Sequence, residues 1–155
     1  MIVRQETKYI VVHCAATKPS LDIGASEIRE WHLAKGWADI GYHYVIRRDG
    51  AIELGRNPAF VGAHVAGYNG SSVGVCLVGG LTETGAPFLN RPDLYEPQQL
   101  DSLRYLLEVL HRMYLTAQIV GHRDLSPDQN KDGKIEPWEY LKSCPGFNVG
   151  EWFRA

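Results

Sequence analysis

The strongest periodicity in the chain is helical: Leu100, Leu103, Leu106, Leu107, Leu110, Met113 and Tyr114 recur at three- and four-residue spacing, as on a helix with one apolar face. Pro97 suits its first turn, and the stretch 81–96 before it, rich in Gly, Pro, Asn and Asp, reads as a loop. Elsewhere the apolar positions fall in short β-branched runs. Tyr9–Cys14 and Ser72–Val78, the second closed by Gly79-Gly80, have the continuous apolar character of strands buried on both faces. Gly41–Arg47 and Ala51–Leu54 flank Arg48-Asp49-Gly50 and predict a hairpin with a tight Asp-Gly turn. Ile119-Val120 predicts one more short strand. A second helix is expected over about 26–35, with Ser26 as its cap, Glu27 and Glu30 near its positive end and Gly36 as its stop. Strands mixed with two helices predict an α/β fold, a mixed central β-sheet flanked by helices.

Nothing in the composition divides the 155 residues, so one domain over 1–155 is expected. The formal charge of -2 is spread over interspersed acidic and basic residues, which argues against a nucleic-acid partner. The first residues carry charges without an apolar signal core, and no apolar run reaches membrane-spanning length. A monomer that is cytoplasmic on synthesis is therefore expected, with no membrane association. Three dispersed cysteines are too few for a disulfide framework.

Three of the remaining features concern metal chemistry. His13 and His122 each follow a β-branched pair at the end of an expected strand, and Cys144 precedes a Pro-Gly break. Two imidazoles and a thiolate suit zinc and leave a fourth position open, the arrangement of a catalytic site. His32 and His111 lie on the expected helices and are read as ordinary structural or surface residues.

Several motifs in combination resemble the zinc N-acetylmuramoyl-L-alanine amidases of type 2. They are Val12-His13-Cys14-Ala15-Ala16-Thr17-Lys18-Pro19-Ser20, Gly41-Tyr42-His43-Tyr44, Arg48-Asp49-Gly50, His64 with Gly67-Tyr68-Asn69, Val73–Gly80, and Lys142-x-Cys144-Pro145. The resemblance is to the short bacteriophage lysozyme members, and more distantly to the peptidoglycan recognition proteins, and it covers almost the whole chain. It implies one catalytic zinc held by His13, His122 and Cys144, with Tyr42 and Lys142 as the polar catalytic groups. The implied reaction is hydrolysis of the amide between the lactyl group of muramic acid and the L-alanine of the peptide stem in peptidoglycan. The implied role is that of a phage or prophage endolysin acting on the cell wall after the membrane is breached. His64, Tyr68 and Asn69, in a glycine-bounded loop, are candidates for a wall of the substrate groove. Two rivals on the same fold are a noncatalytic peptidoglycan-binding protein, which the presence of Cys144 disfavours, and a polymerase-interacting regulator. A contact surface for RNA polymerase is not legible in the sequence.

A second motif is independent of the first. Residues 128–139 match the twelve-residue calcium loop, with Asp128, Asn130 and Asp132 at positions 1, 3 and 5, Gly133 at 6, Lys134 offering its carbonyl at 7, and Glu139 at 12. Ser126-Pro127 replaces the usual entering helix. The loop reads as an insertion whose structural calcium would fix the start of a short helix carrying Lys142 and Cys144.

Overall fold

The two apolar runs expected as buried strands lie next to each other at the centre of the sheet. In the computed structural model, which describes residues 1–155, the elements are β1 (Tyr9–Cys14), α1 (Ala25–Ala34), β2 (Tyr44–Ile46), β3 (Ile52–Leu54), β4 (Ser72–Leu77), α2 (Pro97–Met113), β5 (Gln118–Gly121) and α3 (Val149–Arg154). Single 3-10 turns occur at Asn69–Ser71, Pro92–Leu94, His122–Leu125 and Pro137–Glu139. The strand order is β3-β2-β4-β1-β5, with β1 parallel to both β4 and β5, β2 parallel to β4, and β3 antiparallel at one edge. The sheet is mixed, as expected.

Alternation along each strand sorts the side chains into two layers. Ile10, Val12, Ile46, Val73, Val75 and Leu77 face α2 and α3, where Leu103, Leu106, Leu107, Leu110, Phe147 and Val149 complete the larger core. Val45 and Cys76 face the other way and pack with Ile23, Ala25, Ile28, Ile40 and Val78 around α1. His13 pairs with Cys76 in the parallel register, so it emerges on this second face, near the smaller core.

Two features differ from the sequence expectation. Gly24, not Ser26, caps α1: Glu27 Oε1 accepts from the Gly24 N–H at 3.0 Å, and Glu53 Oε1 of β3 accepts from the Ala25 N–H at 2.8 Å. A neighbouring strand thus supplies the oxygen that the cap residue lacks, a contact the local sequence does not encode. Helix α3 has too few residues to display a period, yet Asn148 is its cap and accepts from the Glu151 N–H at 3.0 Å. The Asn148-x-x-Glu151 spacing was the available signal. The Asp-Gly hairpin turn is as expected, with Gly50 at φ +90 and Asp49 Oδ1 accepting from the Ala51 N–H.

Leu107 is fully enclosed between α2 and the sheet. Leu107→Ala should lower the unfolding free energy by about 2–5 kcal/mol in urea denaturation. Leu115→Ala, at a side chain 75% exposed, should stay within about 0.5 kcal/mol of the parent protein.

Candidate metal centre and catalytic groups

The register of the parallel strands assembles the site. Val12 pairs with Gly121 as the last rung of the β1–β5 ladder, and His13 and His122 are the next residues along their chains. Their rings lie 4.6 Å apart, centroid to centroid. Cys144 arrives from the far end of the chain on an irregular segment. Its Sγ accepts from the Cys14 N–H at 3.0 Å, and its carbonyl accepts from the Arg123 N–H at 2.9 Å. One donor atom from each of His13, His122 and Cys144 lies within 4.8 Å of the others, so one ion could touch all three.

Lys142 and Cys144 are not on a helix, contrary to the sequence expectation. The residue before Pro145 is held out of the helical region by the proline ring, and Gly146 at φ +93 breaks the chain again. Tertiary contacts fix the segment instead. Tyr95 Oη donates to the Pro145 carbonyl at 2.7 Å, and the Arg91 N–H donates to the Gly146 carbonyl at 2.9 Å. A Cβ at position 146 would sit 2.6 Å from the Phe88 ring, so only glycine passes beneath it.

Burial sets the charge state of these groups. The pKa of His122 is pushed down to about 4 by burial and then by the Lys142 ammonium. His13 is held well below the usual imidazole range by burial, by the neighbouring imidazoles of His64 and His122, and by Lys142. Both rings are therefore neutral near pH 7, the form that ligates a metal. Burial pushes the Cys144 thiol well up, so without a metal it keeps its proton. Tyr42 places its ring 5.1 Å from that of His13, and burial followed by the thiols of Cys76, Cys144 and Cys14 raises its pKa well above the ordinary phenol value. It is a protonated hydrogen-bond donor beside the centre. Lys142 is exposed, close enough for its charge to act on both imidazoles.

His64 lies against His13, and Tyr68 and Asn69 belong to the loop that carries it. His64 Nδ1 lies 2.8 Å from His13 Nε2, and Asn69 Oδ1 accepts from the backbone N–H groups of His64 and Val65 at 2.8 Å each. The Tyr68 ring meets Tyr9 edge-on at 5.5 Å. His32 is structural, its Nδ1 accepting from the Gly41 N–H at 2.9 Å. His43 is also structural, with Nδ1 accepting from the Gly74 N–H and Nε2 donating to the Phe60 carbonyl.

The second motif also closes on itself. Oxygens of Asp128, Asp132 and Glu139 lie within 4.8 Å of one another, and Glu139 is 1% exposed. The Glu139 oxygens accept from the N–H groups of Gln129 and Glu136, and Asp128 Oδ2 accepts from the Gly133 N–H. Asn130 Oδ1 accepts from the Asp132 N–H at 3.3 Å, and Lys134 donates its backbone N–H to Asp132 Oδ1 at 2.9 Å. Asp128 Oδ1 and Glu136 Oε2 are buried with no partner. Glu136 was missed from the sequence, although it stands at position 9 of the loop, a recognised ligand slot. The neighbouring carboxylates of Glu139 and then Asp132 raise its carboxyl to about 7.

Comparison with known proteins places the chain among relatives. The Amidase_2 family, described as N-acetylmuramoyl-L-alanine amidase, matches residues 3–146. The endolysin of Klebsiella phage KP32 is 45% identical over 150 residues, covering 97% of this chain and 87% of its own length. The solved structure of N-acetylmuramoyl-L-alanine amidase LysC from Clostridium intestinale is 28% identical, with a TM-score of 0.71, over 96% of this chain and 83% of that one. Drosophila PGRP-LB shares the fold at 23% identity and a TM-score of 0.68, over 100% of this chain and 87% of that one.

The donor set of two neutral imidazoles and one thiol fits zinc, and it dictates the proton balance of binding. At about pH 6, below the titration of a zinc-bound water, zinc uptake should release about one proton, from Cys144, because the imidazoles carry none to lose. Affinity should climb roughly tenfold per pH unit below the thiol's own pKa. Titration calorimetry in buffers of different ionisation enthalpy reads the proton count. Cys144→Ser should abolish the release and leave zinc well below one per chain.

Proposed function

The chain belongs to the N-acetylmuramoyl-L-alanine amidase family and is a peptidoglycan amidase with the lytic role of the phage endolysins, and we propose that it works through a zinc ion held by His13, His122 and Cys144. The bond cleaved joins the lactyl group of N-acetylmuramic acid to L-alanine. The observation that carries the zinc reading is the convergence of three donors, from β1, the turn after β5 and the 144–146 segment, within 4.8 Å. No helix is long and apolar enough to cross a membrane, and the site of action is the cell wall.

Zinc bound there would supply Lewis acidity, lowering the pKa of a water toward ~7 and polarising the amide carbonyl. The chain's own groups do the rest. Neutral His13 and His122 present lone pairs, and the Cys14 N–H steadies the Cys144 sulfur as a thiolate. The Tyr42 phenol, kept protonated by burial, donates a hydrogen bond to the carbonyl oxygen as negative charge develops on it. Lys142, exposed and near enough for its charge to act on both imidazoles, adds a positive charge that favours the same developing negative charge. Both contributions grow in the transition state, so they act on kcat more than on binding.

Digestion of isolated murein should free lactyl carboxylates and L-alanine amino termini, identified by mass spectrometry, and a chelator should stop the release. New reducing sugar ends in their place would overturn the assignment. Tyr42→Phe and Lys142→Ala should keep one zinc per chain and lower kcat by about 10²–10³-fold. Wild-type turnover in both variants would remove these residues from the mechanism.

We further propose that Asp128, Asn130, Asp132, Lys134 through its carbonyl and Glu139 take a calcium ion, with Glu136 facing it at position 9. The support is the complete loop pattern together with the unpartnered, buried Asp128 Oδ1. The loop returns beside its own start, where the Leu141 N–H donates to Ser126 Oγ at 3.1 Å, so ordering it also steadies Lys142 next door. Calcium should raise the melting temperature of zinc-loaded protein, and Asp128→Ala with Asp132→Ala should erase the increment while zinc content stays near one. The increment should be larger at pH 8 than at pH 6. The neighbouring carboxylates push Glu136 up to about 7, so below that pH a proton competes with the cation. No calcium binding at millimolar concentration would leave the loop a polar turn.

A further inference from the structure

We propose that His64 is a positioning residue for the metal centre: together with Ser72 and the Tyr68 carbonyl, it fixes His13 as the Nε2–H tautomer and so presents Nδ1 as the ligand nitrogen. This rests on the zinc reading above only for what the free nitrogen is used for. The tautomer itself follows from a hydrogen-bond chain that has one consistent set of directions. Ser72 Oγ lies 2.7 Å from the Tyr68 carbonyl, which can only accept, so the single hydroxyl proton of Ser72 points there. Ser72 Oγ also lies 3.3 Å from His64 Nε2, and with its proton used it can only accept from that nitrogen. His64 therefore carries its proton on Nε2 and is bare at Nδ1. That bare nitrogen, 2.8 Å from His13 Nε2, must receive a proton from it. A neutral His13 with Nε2–H has an unshared pair on Nδ1, the only ring nitrogen left for an ion.

The surroundings hold the relay in place. The His64 ring lies against backbone that only glycine permits: a Cβ at Gly74 would come within 2.7–2.8 Å of three of its ring atoms, Cγ, Cδ2 and Nδ1, and one at Gly62 would come within 2.8 Å of the same Cδ2. Asn69 Oδ1 ties down the His64 and Val65 N–H groups, and Ser72 is fully buried at the start of β4. Burial keeps both rings neutral, as the chain of directions requires. The loop that sequence offers as a candidate wall of the substrate groove also buttresses His13. A histidine ligand whose second nitrogen is hydrogen-bonded is oriented before the metal arrives, and removing such a partner commonly costs about 10–100-fold in metal affinity or activity.

The test begins with zinc-free protein, where two-bond proton–nitrogen NMR reports each histidine tautomer. Wild type should show His13 and His64 both protonated on Nε2. His64→Ala should leave His13 as a mixture of tautomers and weaken zinc binding by about 10–100-fold in competition titrations. His64→Asn, whose side-chain oxygen stands near the position of Nδ1, should restore both the tautomer and most of the affinity. A merely structural role for His64 would not be rescued in that pattern. If His64→Ala does not fold, Ser72→Ala serves instead: it frees the His64 proton to move to Nδ1, and both readouts should shift in the same direction. His13 protonated on Nδ1 in wild type, or an unchanged zinc affinity in a folded His64→Ala, would overturn the proposal. A wild-type chain that bound no zinc would overturn the zinc reading, while the NMR tautomers would still decide the relay.

Discussion

The site depends on the parallel register of β1 against β4 and β5. Pairing Val12 with Gly121 and His13 with Cys76 brings two histidines from distant parts of the chain out at one end of the sheet, on the layer away from α2. A slip of one residue in β1 would turn His13 into the larger core and Val12 toward the candidate metal centre. The apolar alternation that buries Ile10 and Val12 against α2 therefore also aims His13, the candidate ligand. Packing energy and catalytic geometry come from the same contacts, which is why the centre can be built at strand ends with little local structure of its own.

Burial then decides what those side chains can do. Removing His13, His122, Tyr42 and Cys144 from water favours the uncharged form of each. For the imidazoles this is the ligating form and for the phenol it is the donating form. For the thiol it is the wrong form, and only a cation reverses it. The Cys14 N–H is directed at the sulfur and assists that reversal. The low-dielectric setting that makes unpaired charge costly makes a bound divalent cation the natural counterpart of the thiolate.

The two candidate ion sites are chemically separate. Nitrogen and sulfur at the strand ends suit a softer metal, whereas the carboxylates of 128–139 suit a hard one. They are joined along the chain by a short irregular segment through Lys142. Arg123 ties that segment down from the other side: its N–H holds the Cys144 carbonyl, and its guanidinium lies 4.8 Å from the centre of the Tyr140 ring. Position, not helical rigidity, places Lys142 at the rim.

The sequence by itself determined the strands, the two longer helices, the three zinc-ligand candidates and the calcium-type loop. Each of these rests on local chemistry: β-branched runs, a leucine period, a histidine at a strand end, oxygen ligands at fixed loop positions. It could not determine the cap of α1, because Glu53 reaches it from another strand, nor the irregular path of 140–148, because Tyr95, Arg91 and Phe88 hold it from far away. The same limit applied to His64. Its sequence neighbourhood is that of an exposed turn, and only the approach of β1 and β4, with glycines at 62 and 74 opening the space, sets its ring against His13. What the chain encodes within a few residues was legible, and what depends on which distant atoms meet was left to the tertiary structure, because hydrogen-bond partners and burial are properties of the packed whole.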